Sequence, residues 1–327
     1  MKTLIKKNVY YDNSYGAHTY AYDGGGYTHG GTRLNFGSKF MGGVGVVGGG
    51  ASAGSPASGT SDHIEYINIG TSGDAIDWGG ELITATAYNM GVGGDGHKGI
   101  LSVGGNPSLT DMNFISFTSR GQCTDYGELS SSAANGQGSS NGHRGVWYDG
   151  GESTEINIYY VDFSTRGTAA DFGGDRTVSS YGAACLSDGV RAVWNGTFTN
   201  TDVMDFINIA VSGSNATDFG ECLVDEHYKT GDSNGHRGLF SAGSPDDRVE
   251  YITIGTNCSG KDFGELNASS VQPASVSDGS RCVVMNGFGT SDPMTSCYQN
   301  IGIAGGGAAD FGSTTRHAYS TAGMSGD

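Results

Sequence analysis

A triplet of aspartate, aromatic residue and glycine occurs six times in this 327-residue chain: Asp77-Trp78-Gly79, Asp125-Tyr126-Gly127, Asp171-Phe172-Gly173, Asp218-Phe219-Gly220, Asp262-Phe263-Gly264 and Asp310-Phe311-Gly312. Successive triplets lie 48, 46, 47, 44 and 48 residues apart. A basic residue keeps the same step at Lys98, Arg144, Arg191, Arg237 and Arg281. Two markers with one period make the chain an array of like units, each too small to bury its own apolar faces.

The grammar inside a unit is that of strands. About ten residues before each triplet lies a segment such as Ile64-Glu65-Tyr66-Ile67-Asn68-Ile69, Met204-Asp205-Phe206-Ile207-Asn208-Ile209 or Val249-Glu250-Tyr251-Ile252-Thr253-Ile254. Its apolar groups fall on both faces of a period-2 strand, so both faces need cover. The basic residue opens a second short strand and the triplet lies on a third. A fourth precedes an Asp-Gly or Asn-Gly turn at Asp95-Gly96, Asn141-Gly142, Asp188-Gly189, Asn234-Gly235 or Asp278-Gly279, dipeptides suited to the positive φ of tight hairpins. Helical alternatives fail because the chain holds 59 glycines, and each costs a helix interior about 1 kcal/mol. The expectation is therefore an all-β propeller of four-stranded antiparallel blades stacked around an axis.

Seven periods of this length nearly fill 327 residues. Seven blades are favoured, the last completed by pairing the C-terminal strand, 314–324, with strands from the N-terminal segment, which would hide the sheet edges. In the alternative there are six blades, and residues 1–42 form an attachment arm. Either way the domain division is 1–42 and 43–327.

Residues present in every copy are expected to be structural. Asp77, Asp125, Asp171, Asp218, Asp262 and Asp310 can accept turn N–H groups, the aromatic beside each can wedge between blades, and the glycine permits a bend. Lys98, Arg144, Arg191, Arg237 and Arg281 read as polar ties at a strand start, with the triplet aspartate a candidate partner. Asp-Phe-Gly matches a kinase magnesium loop, but the other kinase signatures are missing. Gly43-x-Gly45-x-x-Gly48 fits a dinucleotide fingerprint, yet Pro56 and a Gly/Ala/Ser run follow where a helix should begin. His97, His143 and His236 occupy equivalent turns spread around the ring, so they cannot jointly hold a metal ion. No sialidase-type Ser-x-Asp box is present. Catalytic, cofactor and metal residues are expected to be none, because an enzyme would need nonrepeating polar groups at one end of the axis.

Composition narrows the partners. The net charge of −17, with only 17 Lys and Arg, disfavours nucleic acid, which needs a concentrated basic surface. No run approaches the 18 apolar residues of a membrane span, and the N-terminus lacks the apolar core of a secretion signal. Six cysteines contain no Cys-x-x-Cys pair and read as free thiols of a reducing compartment. The copies differ in their loops at 48–62, 104–111, 150–155, 198–202, 244–247 and 287–296, and variable loops on a rigid ring read as a recognition surface.

The ordered set His236-Arg237-Gly238-Leu239-Phe240-Ser241-Ala242-Gly243, Val249 to Gly255 and Lys261-Asp262-Phe263-Gly264-Glu265-Leu266 resembles the kelch-like propeller repeats of tailed-bacteriophage virion proteins over about residues 43 to 327. The resemblance implies a non-enzymatic virion structural protein, a tail fibre or tail component that recognises host-surface glycan. It implies other virion proteins as partners, room for an oligomer, and assembly in the host cytoplasm. A capsid decoration protein and a carbohydrate-active propeller enzyme are the alternatives.

Overall fold

The computed structural model describes residues 20–22, 27–29, 32–34 and 43–326, apart from 53–58, 89–90, 104–108, 130–134, 151–155, 180–181, 196–201, 244–245, 290–294 and 303. Every regular element among them is a strand. Six antiparallel sheets of four strands follow one another along the chain. The sheet in mid-ring shows the plan: Thr230–Ser233, Arg237–Gly243, Asp246–Thr253 and Lys261–Glu265, each hydrogen-bonded to the next. The chain is a six-bladed β-propeller.

Between each pair of neighbouring blades lies one cluster of buried apolar side chains, six in all. The last joins Val47, Ile67 and Ile69 of the first blade to Val276, Val283 and Phe311 of the sixth, so the ring is closed. This meets the two-sided cover that the strand pattern required. Each large side chain buried there contributes roughly 1.5–3 kcal/mol.

The favoured count of seven blades is corrected to six. The C-terminal strand Ala322–Gly326 pairs with Val44–Gly48 and becomes the innermost strand of the first blade. It therefore completes a copy already counted instead of starting another with residues 1–42. Described strands of that segment, Tyr20–Tyr22, Tyr27–His29 and Thr32–Leu34, make a separate three-stranded sheet. The strand expected at 3–11 lies outside the described residues.

Inner strands are short and made of small residues because six of them converge on the axis. Serine hydroxyls cinch them together: Ser140 Oγ donates to the Gly94 carbonyl 3.1 Å away, Ser277 Oγ to that of Ser233 at 3.3 Å, and Ser325 Oγ accepts from Ser277 N at 2.9 Å. Each inner strand runs from one face of the ring, here the mouth face, to the other, where the Asp-Gly or Asn-Gly turn leads into the second strand. The second strand returns to the mouth face, so the loops between second and third strands leave from that face.

Candidate functional site at the axial mouth

The turn face repeats almost without variation. In five copies the first turn residue accepts two backbone N–H groups through its side chain; Asp278 Oδ1 takes those of Ser280 and Arg281 at 2.8 and 2.7 Å, and Asp95, Asn141, Asp188 and Asn234 do the same in their own turns. The following glycines have φ between 81° and 94°. His97, His143 and His236 are exposed here, one per turn.

The triplet is a β-bulge. Opposite the third strand Val249 pairs with Gly264 and Glu250 with Asp262, leaving Phe263 as the extra residue; Phe219 and Phe311 are extra in the same way. A bulge re-aims the side chain it leaves unpaired. Here it sends the aromatic into the interface with the next blade, where Trp78, Tyr126, Phe172, Phe219, Phe263 and Phe311 are all buried. The six triplet aspartates are exposed; Asp77, Asp125 and Asp171 each accept the N–H of the glycine two residues on. At Gly264 a Cβ would collide with the Gly306 carbonyl of the next blade, so the glycine serves close approach between blades.

The repeated arginine makes a different tie from the expected one to the triplet aspartate. Arg237 lies 4.6 Å from the ring centre of Tyr251 in its own blade and donates to the Ile301 carbonyl of the next blade at 3.0 Å. Arg144, Arg191 and Arg281 stack on Tyr160, Phe206 and Tyr298 and donate to Ile209, Ile254 and Ile69 in the same way. The first copy lacks the basic residue and the second has Lys98. There Arg120 and Arg166, from the following blade, take the place over Tyr66 and Phe114 at 4.0 and 4.5 Å. Sequence reasoning missed these two; the signal was their 46-residue spacing in equivalent loops.

Mouth-face ties use less uniform chemistry. At one third-strand position, buried Glu65, Asp205 and Glu250 accept N–H groups from the segment leaving the preceding blade: Thr315 at 2.7 Å, Thr177 at 2.7 Å and Leu223 at 2.8 Å. Asn113 accepts Ile83 N at 2.8 Å. Asp205 also carries Arg176, and Glu250 carries Lys229 at 2.6 Å. Burial works against the Lys229 charge, but Glu250 beside it, with Cys222 and Glu226 in support, holds the ammonium above its usual range.

Repetition breaks where the inner strands begin. Six residues, one per blade junction, sit at φ between 55° and 73°: Tyr88, Asn135, Gly182, Tyr228, Gln272 and Ser320. A left-handed conformation costs a non-glycine residue on the order of 1 kcal/mol, and here it is held by backbone bonds running around the rim. Asn135 N donates to Tyr88 O, Tyr228 N to Gly182 O, Gln272 N to Tyr228 O and Ser320 N to Gln272 O, at 2.9 to 3.2 Å. Gly182 is glycine because the Tyr228 ring lies where its Cβ would be. One backbone geometry thus presents six positions with four different side chains, tyrosine twice among them, and one glycine.

These residues, with Gln137, Lys229 and Thr321, line a small hollow open to solvent at the end of the axis. Gln272 Nε2 reaches across the mouth to Asn135 Oδ1 at 3.3 Å, and Ser320 Oγ donates to Gln272 Oε1 at 2.7 Å. Among the described residues Gln137 Oε1 and Thr321 Oγ1 are buried with no hydrogen-bond partner. Leaving a buried acceptor or hydroxyl unpaired costs about 1–3 kcal/mol.

The loop that supplies Tyr228 and Lys229 reads Asp225-Glu226-His227-Tyr228-Lys229, a polar cluster without counterpart in other copies. Burial, and then a hydrogen bond with the Asp246 carboxyl, push Glu226 up to about 7. Burial raises Asp246, but that bond, its own backbone N–H donors and Arg248 outweigh it, and the carboxyl is held below its usual range. The pair shares one proton near neutrality, with Glu226 the protonated member. Burial lowers His227, whose ring packs edge-on against Tyr228 at 4.5 Å.

No family model and no curated protein matches the chain. A solved structure described as a novel fungal alcohol oxidase with catalytic diversity among the AA5 family, in complex with copper, matches with a TM-score of 0.54 and 15% identity, covering 88% of this chain and 68% of that one. Likeness at that identity shows the fold. It corrects the expectation of a bacteriophage virion protein that recognises host-surface glycan: the solved structure with this fold is an oxidase, and no finding ties the chain to a virus particle. The copper of that oxidase does not fit the mouth. Its lining offers phenol, amide and hydroxyl groups beside a lysine already paired with Glu250, and among the described residues no three His, Cys, Asp or Glu gather as ligands.

Proposed function

We propose that this chain is a carbohydrate-active propeller that takes a sugar into the axial mouth and works on it there. What carries this is the break in repetition: on six equivalent left-handed positions the ring places tyrosine, asparagine, glycine, tyrosine, glutamine and serine around one cavity. Amides and hydroxyls facing each other across a narrow opening suit a ligand dense in hydroxyl groups, each both donor and acceptor. The likeness to an AA5 oxidase supports carbohydrate chemistry over virion architecture, and the recurrent turn, arginine and bulge support a kelch-like character for the blades.

Glu226, pushed up to about 7 by burial and its hydrogen bond with Asp246, lies two positions before Tyr228 but does not line the cavity. Titration calorimetry with glucose, galactose, mannose and N-acetylglucosamine tests the binding, and product analysis with their oligomers tests turnover. Gln272→Ala is expected to weaken binding by about tenfold or more. A wild-type protein that binds no sugar contradicts the proposal.

A further inference from the structure

One edge of the mouth is aromatic. Tyr88, on the rim, packs edge-on against Tyr319 with ring centres 6.5 Å apart, and Tyr319 packs the same way on Phe288 at 5.9 Å. The phenols of Tyr88 and Tyr319 are hydrogen-bonded; burial, and then that neighbour, raise the Tyr319 hydroxyl above its usual range. The run leads from the cavity outward across the junction of the sixth and first blades. At its outer end Phe288 is 50% exposed, although the large aromatics of the repeat are buried.

Phe288 is not a loose side chain. Its N–H and carbonyl both pair with Val271 at 2.8 Å, and Gly287 N donates to the Ala318 carbonyl at 2.7 Å, fastening it between the linker segments on either side. It also breaks the repeat. Counted from the glycine after the second strand, the other copies carry Ala51, Gly105, Gly151, Thr197 and Ser244 at this place. An aromatic ring held out to water on a fixed backbone, where the array otherwise uses small residues, is preorganised for stacking.

Resting on carbohydrate binding at the mouth, we infer that the Phe288, Tyr319 and Tyr88 run is an extended subsite for an oligosaccharide. The terminal sugar occupies the polar cavity and the following ring lies on Phe288. A pyranose has an apolar C–H face and a rim of hydroxyls, so the same ligand suits a mouth of amides and a flank of aromatic faces. The ligand class is thereby narrowed from a free monosaccharide to the end of a glycan chain.

Calorimetry with glucose, galactose, mannose and N-acetylglucosamine, and with their linear tetramers, separates the two levels. The wild-type protein is expected to bind one tetramer about tenfold more tightly than its monosaccharide. Phe288→Ala erases that advantage and leaves monosaccharide affinity unchanged, while Phe288→Trp retains it. A tetramer no tighter than the monosaccharide, or an advantage that survives Phe288→Ala in a protein with wild-type melting temperature, overturns the subsite and leaves mouth binding standing. No binding of either, with the wild-type fold intact, overturns the mouth and the subsite together.

Discussion

The two faces of the ring are built on the same six blades and differ in what they repeat. On the turn face both backbone and side chains recur: an Asx-type turn in five copies, and an arginine over the third-strand aromatic in all six, even where it must be borrowed from the next blade as Arg120 or Arg166. On the mouth face the backbone recurs and the side chains do not. Six left-handed residues share a φ range of 55° to 73° but hold four side-chain types and a glycine. Uniform side chains on one face mean that each is chosen by its neighbouring blade. Varied side chains on an equally uniform backbone mean that blade packing does not choose one residue type, Gly182 excepted, where the Tyr228 ring leaves no room for a Cβ.

The harshest way to break the comparison is to remove what both faces share. Deleting 322–326 leaves Val44–Gly48 without its inner neighbour and opens the ring; loss of the cooperative thermal transition is expected by circular dichroism. Next in size is a mouth-side tie. Arg176 and Asp205 are fully buried against each other, so Asp205→Ala strands a buried guanidinium and should cost about 3–5 kcal/mol in urea unfolding. A turn-face tie is weaker because it is partly exposed: Arg237→Ala removes one carbonyl bond and one ring contact and should cost about 2 kcal/mol. Equal losses at the two sites would erase the energetic distinction between the faces.

The smallest effect concerns pH. Folding raises Glu226 from its ordinary value of about 4.5 to about 7, so the folded state holds this proton more tightly and the contribution to stability is lost as pH rises through that window. His227 works in the opposite sense, its lowered value favouring folding at higher pH and losing that contribution as pH falls below about 6.5; Asp246 matters only below about 3.8. Comparing melting temperatures of wild type and Glu226→Gln from pH 4.5 to 7.5 isolates Glu226: the wild type should lose stability relative to the variant as pH rises. Parallel curves would show that Glu226 is not perturbed.

The blades were legible because the bulge and the turn each demand particular residue types. Only a glycine accepts the φ near 147° at Gly264 with a neighbouring carbonyl where a Cβ would sit, and only a short acceptor side chain closes the turn at Asp278. Blade number was misread because period counting cannot tell whether the chain begins a new blade or lends a strand to the first, and Ala322–Gly326 does the latter. The buried ties of Glu65, Asn113, Asp205 and Glu250 were invisible for another reason: carboxylate and amide satisfy the same backbone N–H, so no one residue type repeats. The mouth was hardest to see, since Tyr88 and Gln272 are far apart in the chain and alike only in conformation.

Isothermal titration of the four monosaccharides and their tetramers into wild type, Gln272→Ala and Arg237→Lys tests most directly whether the mouth face does the work while the turn face holds the ring. Sugar binding by wild type and Arg237→Lys, weakened about tenfold or more in Gln272→Ala, is the predicted result. Binding that survives Gln272→Ala unchanged, or that fails in Arg237→Lys while its fold persists, would contradict it.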